Sequence, residues 1–174
     1  PFRVRTPTFL SPDSERPLDV QYRGSGYSPI AGYPRSRSKE LMTEITKESD
    51  IKISDITKRI PKNEFIKEGM SAKCILSPFG WGEICGRDFE AFVYGCCMIK
   101  QDMSHCITYP DAYQPWKTYI PLKWDFSDFK DILLQAKSPE YKEIAKNAQN
   151  YYKFFFTKEG RRDFAKHIIS ELER

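Results

Sequence analysis

The stretch Ser77-Pro-Phe-Gly-Trp-Gly-Glu-Ile-Cys-Gly-Arg-Asp-Phe-Glu-Ala-Phe-Val-Tyr-Gly-Cys-Cys-Met-Ile-Lys100 decides how this chain is read. It opens on a turn rich in glycine and proline, Ser77 to Gly82, which follows the short apolar run Cys74 to Leu76. From Glu83 to Tyr94 the apolar residues recur at helical spacing, and Gly95 stands where a left-handed C-cap closes a helix. Cys96 to Ile99 is apolar without interruption, as a strand buried on both faces should be. Strand, turn, helix and buried strand in that order predict a βαβ unit in a parallel sheet.

The same alternation extends on both sides. Leu18 to Tyr22 alternates like a strand and ends in Arg23-Gly24-Ser25-Gly26. Ser36 or Ser38 can cap a helix that carries Leu41, Met42 and Ile45 on one face. Ile51 to Ile56 reads as a second short strand, and Pro61 as the start of a helix running to about Met70. Thr118 to Leu122 supplies a fifth strand. Three helical segments follow: one capped by Ser127, one starting at Ser138-Pro139, and a last one carrying Phe164, Ile168 and Leu172. The expectation is an α/β, Rossmann-like parallel sheet of about five strands over residues 18–174, with closing helices at the C-terminus. Residues 1–17, with prolines at 1, 7, 12 and 17, read as a linker or surface arm.

Composition narrows the function. Lys and Arg number 28 against 24 Asp and Glu, so the net charge is only +4 and no concentrated basic face points to nucleic acid. Arg35, Arg37 and Lys39 read as the solvated end of a helix. Five cysteines without framework spacing argue for a reducing compartment such as the cytoplasm. No signal peptide is visible, and the longest apolar run, Ala91 to Ile99, is too short to span a bilayer, which leaves peripheral membrane association compatible. Two histidines and no CxxC spacing give no basis for a zinc site.

Ligands of open parallel sheets gather beyond the carboxyl ends of the strands. Two loops suit that place. The first is Arg23-Gly24-Ser25, where glycine lets a backbone approach and arginine can donate twice to a phosphate. The second is Ser77-Pro78-Phe79-Gly80-Trp81-Gly82, ahead of a helix N-terminus that favours an anion. On the expected helix, Glu83, Arg87 and Glu90 share one face at i, i+4 and i+7. Cys85, Phe89, Phe92, Val93 and Cys96 form the core stripe. Asp102 and His105 follow the fourth strand, with a hydrogen-bonded loop the simpler reading than a general base. Trp81, Trp116 and Trp124 can stack on a base or sugar, although such aromatics more often pack a domain.

The stretch Ser77–Lys100 resembles the donor-site motif of glycosyltransferases of the two-domain GT-B architecture. In those a Gly-rich turn leads into a helix with a basic residue and a Glu-Ala-x-x-x-Gly ending, here Glu90-Ala91-Phe92-Val93-Tyr94-Gly95. The Arg87-x-x-Glu90 spacing is similar to the exostosin-like and group 1-like members. The order of elements from Leu18 to Leu122 resembles the C-terminal, donor-binding domain of that fold.

The resemblance implies a transferase acting on a nucleoside-diphosphate sugar and a glycan or other acceptor. It assigns ribose recognition to Glu90 and neutralisation of the diphosphate to Arg87 and Arg23, with backbone N–H groups around Gly80 and Gly82 assisting. It implies no separate cofactor, and an acceptor domain outside these residues. The first glutamate of the commoner family pattern falls on Gly82 here, with Glu83 beside it. No Asp-x-Asp metal motif occurs in the chain. The alternative is a non-catalytic, doubly wound nucleotide-binding or regulatory module. A dinucleotide oxidoreductase would need the full G-x-G-x-x-G, which the first loop lacks.

Overall fold

The computed structural model describes residues 6–24 and 32–174. Four strands, β1 (Leu18–Gln21), β2 (Ala72–Leu76), β3 (Cys97–Gln101) and β4 (Ile120–Leu122), form one sheet in the order β1-β2-β3-β4. Every pair is parallel, with Val20 beside Cys74, Ile75 beside Met98 and Ile99 beside Ile120. The fold is therefore α/β and Rossmann-like, with four strands where about five were expected. The missing member is the run at 51–56. It touches β1 through a single bridge between Val20 and Ile53, held by the Asp19 N–H to Lys52 carbonyl and Ser54 N–H to Val20 carbonyl bonds. Ser54 sits under Tyr22 and exchanges side-chain hydrogen bonds with its backbone, so the chain leaves the ladder after one residue pair.

Six helices complete the described domain: α1 (Gly32–Glu48), α2 (Lys62–Met70), α3 (Gly86–Tyr94), α4 (Phe129–Gln135), α5 (Glu140–Phe154) and α6 (Lys158–Leu172). Two boundaries depart from expectation. α1 begins upstream of both serines, and Ser38 lies inside it, donating to the Pro34 carbonyl at 2.7 Å. α3 begins three residues late, at Gly86, leaving Glu83 in a bend before the helix.

Strand alternation sorts the core into two layers. Val20, Cys74, Leu76, Ile99 and Leu122 face α1 and α4, meeting Met42, Ile45, Phe129 and Leu133. Ile75 and Met98 face the other way, toward Ala91 and Phe92 of α3. α5 reaches both layers, with Tyr141 and Ile144 in the first and Ala148 in the second. On α3 the buried positions are Asp88, Ala91 and Phe92, whereas Phe89 stays partly exposed. No helix of the described residues is long and apolar enough to cross a membrane.

Residues 6–17 lie against the domain. Arg16 is buried, and its guanidinium donates to the carbonyls of Met70, Ala72, Ser11 and Tyr94 and to Cys96 Sγ. Those groups belong to the segments entering β2 and β3, so the arm closes the amino end of the sheet. Gly95 makes this approach possible. It caps α3 at φ 66°, and a Cβ there would stand 2.5 Å from the Leu10 carbonyl. Gly95→Ala is accordingly expected to lower stability by about 1–3 kcal/mol in urea unfolding, through a strained backbone and a displaced arm.

Candidate functional site

The chain runs from β1 outward to the Ile53 edge, returns to β2, and continues through β3 to β4. The winding therefore reverses between β1 and β2. A crevice opens outside the carboxyl ends of two neighbouring strands at such a point. Tyr22, Arg23 and Gly24 leave β1 there, and Ser77 to Gly82 leave β2.

Arg87, in the first turn of α3, reaches across this gap. Its Nη2 donates to the Arg23 carbonyl at 2.6 Å and its Nη1 to the Leu76 carbonyl at 3.5 Å, with the guanidinium 5.8 Å from the centre of the Tyr22 ring. Two of five N–H donors are thus engaged, both by neutral carbonyls. Among the described residues no carboxylate pairs with it. Burial lowers its pKa, and the neighbouring charge of Arg35 acts in the same direction. An arginine remains protonated even so.

Arg35 comes from the start of α1. Tyr22 Oη donates to its carbonyl at 2.9 Å, and its guanidinium rests against Gly80, where any Cβ would collide with it. Burial pushes the Tyr22 hydroxyl up to about 12, opposed by the positive charges of Arg87 and Arg35. Two cations therefore flank one phenol ring at the end of the sheet. Arg35 reads from sequence as a solvated helix end, but the first turn of α1 sets its guanidinium against Gly80 of the β2 turn. Only tertiary structure shows that.

Glu90 lies one turn along α3 from Arg87. Burial raises its pKa above the ordinary 4.5, with the charges of Arg87 and Lys62 opposing. Among the described residues it has no hydrogen-bond or ion-pair partner. It is a half-buried acceptor beside an arginine, available to a hydroxyl-bearing ligand.

Several expected residues are occupied elsewhere. Arg23 makes a two-point ion pair with Glu68, at 2.9 and 2.5 Å, and donates to the carbonyls of Asp55 and Lys58 at 2.6 Å. It ties α2 to the 55–58 loop and is not the free phosphate donor expected. Gly24 packs against the Tyr22 hydroxyl, and Ser25 lies outside the described residues. Ser77 donates from Oγ to Asp88 at 2.6 Å. The Phe79 ring is held edge-on by Trp124 and its N–H by Gln101.

The Gly80 N–H bonds the Gly82 carbonyl at 3.1 Å, so it is not aimed at a ligand, while Gly82 stands in open space. Trp81 is 79% exposed. Glu83, outside the helix, shares no face with Arg87 and lies 3.8 Å from His105. His105 itself packs between Phe79 and Trp124. Asp102 bonds Ser104 and accepts from Tyr119, as a loop-forming residue does. Trp124 donates to the Asp102 carbonyl at the carboxyl end, whereas Trp116 precedes β4 and lies at the opposite end of the sheet.

The N-terminus of α3 is capped at Cys85 by its own Asp88. That carboxylate accepts from the Cys85 N–H at 3.0 Å, Ser77 Oγ at 2.6 Å, Tyr113 Oη at 2.8 Å and Lys100 Nζ at 3.2 Å. Asp88 and Lys100 are both fully buried. Burial, and then the Asp88 charge, raise the Tyr113 pKa. The sequence signal for this pair is a lysine at the end of an otherwise apolar strand, since a buried ammonium requires a partner.

A crevice with two guanidiniums and a carboxylate that has no partner among the described residues suits binding of a phosphorylated, hydroxyl-bearing molecule. No family model matches the chain. A stretch of 88 residues, 49% of the chain, is 31% identical to Uncharacterized protein 035R of Invertebrate iridescent virus 3, and it spans 8% of that protein.

Two outcomes follow from the geometry. Lys100→Met should cost about 3–5 kcal/mol in denaturant unfolding by stranding the Asp88 carboxylate, and adding Asp88→Asn should recover part of that loss. Glu90 titrates higher in the folded chain than in the unfolded one, so the folded state holds its proton more tightly. Its contribution is fully favourable below pH 4.5 and is lost as pH rises through the folded value. Glu90→Gln should therefore be more stable than the parent near neutral pH, with the difference vanishing in acid; parallel melts across that range measure it.

Proposed function

We propose that this chain binds a nucleoside-diphosphate sugar at the carboxyl ends of β1 and β2, as the donor-binding part of a glycosyltransferase. The observation that supports this most is the pair Arg87 and Arg35, converging on Tyr22 and Gly80 without a carboxylate between them. Like charges held together near a low-dielectric wall repel, and an anion with two phosphates relieves that repulsion.

In this reading the unused N–H donors of Arg87 and those of Arg35 grip the diphosphate. Glu90 accepts from the ribose hydroxyls. As the bond from the sugar carbon to the terminal phosphate oxygen breaks, the electron pair passes to that oxygen, and the fixed guanidinium charges stabilise it. An acceptor hydroxyl then bonds to the sugar carbon and gives up its proton to a base. The acceptor site and that base belong to a separate domain in the same or another chain. Arg23 acts at one remove, fixing the loop whose carbonyl orients Arg87.

The alternative is a doubly wound module that binds a nucleotide without transferring a sugar. The winding order, with the Ile53 edge beside β1, is shared by such modules.

The test is thermal stabilisation of the chain by UDP, GDP, ADP, NAD and FMN. A nucleoside diphosphate at about a hundredfold its Kd adds roughly 2.7 kcal/mol. Arg87→Ala should abolish the shift. Gly80→Ala, which pushes Arg35 aside, should weaken it by about tenfold in Kd while leaving the melting point of the free protein nearly unchanged. A response to NAD or FMN alone overturns the proposal.

A further inference from the structure

A second feature of the surface shares Arg35 with the donor reading but does not depend on it. α1 and the segment 56–65, which ends in α2, are separated by a cleft of about 1090 Å³. Its size is at the upper end for a small-molecule site, which is typically about 300–1,000 Å³. Seven Lys and Arg side chains line it, against two Glu.

The distribution of these charges follows from the helix. Arg35, Lys39, Thr43 and Lys47 recur every fourth residue on α1 and form one stripe along a wall. Arg59 and Lys62 stand on the wall opposite. Of the cations lining the cleft, Arg23 is neutralised by Glu68 and Lys58 by Asp55. The other five have no carboxylate partner among the described residues. Glu40, one of the two acidic lining residues, is turned to Arg37 at 3.2 Å. Folding thus brings two unneutralised cationic walls face to face, where solvated lysines on a convex helix surface would have separated.

A single phosphate matches neither the length nor the charge of this groove. The three-turn stripe from Arg35 to Lys47 spans about 18 Å along the helix, at 1.5 Å per residue. Apolar contact is limited to Ile56, Ile60 and Phe65 at the floor.

We propose that the cleft between α1 and α2 is a binding site for a ligand carrying several clustered phosphate groups, held by Lys39, Lys47, Arg59 and Lys62 and meeting the nucleotide position at Arg87 only through Arg35. The shared chemistry is the tetrahedral oxyanion, presented either by a soluble oligophosphate or by a phosphorylated lipid headgroup. Lysine and arginine bind such groups by charge-assisted hydrogen bonds from either wall. The interaction is exposed enough to weaken as salt shortens the Debye length.

The experiment uses the whole chain and two probes. Calorimetry with sodium tripolyphosphate, with and without saturating UDP, reads the soluble arm. Co-sedimentation with phosphatidylcholine vesicles, with or without phosphatidylinositol bisphosphate, reads the lipid arm. The variant Lys39→Glu with Lys47→Glu changes two exposed positions and should keep its fold, which circular dichroism confirms.

The expected result is that tripolyphosphate binds the UDP-loaded chain and that the double variant weakens it by about tenfold or more. Arg87→Ala should leave tripolyphosphate binding within about twofold. Sedimentation with the phosphoinositide vesicles, lost in the double variant, identifies the lipid headgroup as the source; tripolyphosphate binding without sedimentation identifies a soluble one. The proposal is overturned if the double variant binds both probes as the parent does, or if UDP competes tripolyphosphate away and Arg87→Ala abolishes both. Loss of UDP binding alone in Arg87→Ala leaves both sites standing. Failure of every nucleotide to bind, with tripolyphosphate retained, removes the donor reading and not this one.

Discussion

The buried pair of Asp88 and Lys100 is the constraint on which this molecule's geometry depends. Neither group can be charged alone in the interior, so each fixes the other. Through them α3, the end of β2 and the segment carrying Tyr113 meet at one point. Lys100 also holds the Ser77 carbonyl and stands over the Phe79 ring. The turn after β2 is therefore shaped from beneath, by a lysine on the neighbouring strand. The first turn of α3 is shaped from its own N-terminus, and Arg87 occupies that turn.

This arrangement changes what the helix end can do. A bare N-terminus would attract a phosphate, but here an internal carboxylate already sits against it and accepts from the Cys85 N–H. Among the described residues, unspent donors lie instead on a side chain, Arg87, which engages two of its five N–H groups. The cost falls on Arg87, which is desolvated against Tyr22, and on Glu90, which burial destabilises in its ionised form. Both shifts have burial beside the crevice as their largest cause.

Much of the fold was legible because period and punctuation are local properties. The run Cys96–Ile99, the αL cap at Gly95 and the tail helices follow from residue order alone. The early departure of 51–56 from the ladder was not, because pairing there depends on where Ser54 finds its partners on Tyr22. At the site, Arg87 and Glu90 could be read from helical spacing, whereas Arg35 could not, lying some fifty residues away along the chain. Glu83 failed for a related reason: Asp88 caps the helix at Cys85, so the helix starts too late to include it. Arg23 was misread because its partner Glu68 is likewise brought in by packing.

Arg16 and Arg87 make a natural comparison. Both are desolvated arginines without a carboxylate, one at each end of the same sheet. Arg16 is surrounded by carbonyls and a thiol, and all of its hydrogen-bonding capacity except the buried Nε N–H is spent inside the protein. Arg87 has spent only part of its own. The two ends of the sheet are thus unequal: among the described residues one guanidinium N–H is left over at the amino end and three at the carboxyl end. Of these two arginines, the one at the carboxyl pole is, among the described residues, the one with more donors left to offer an anion from solution.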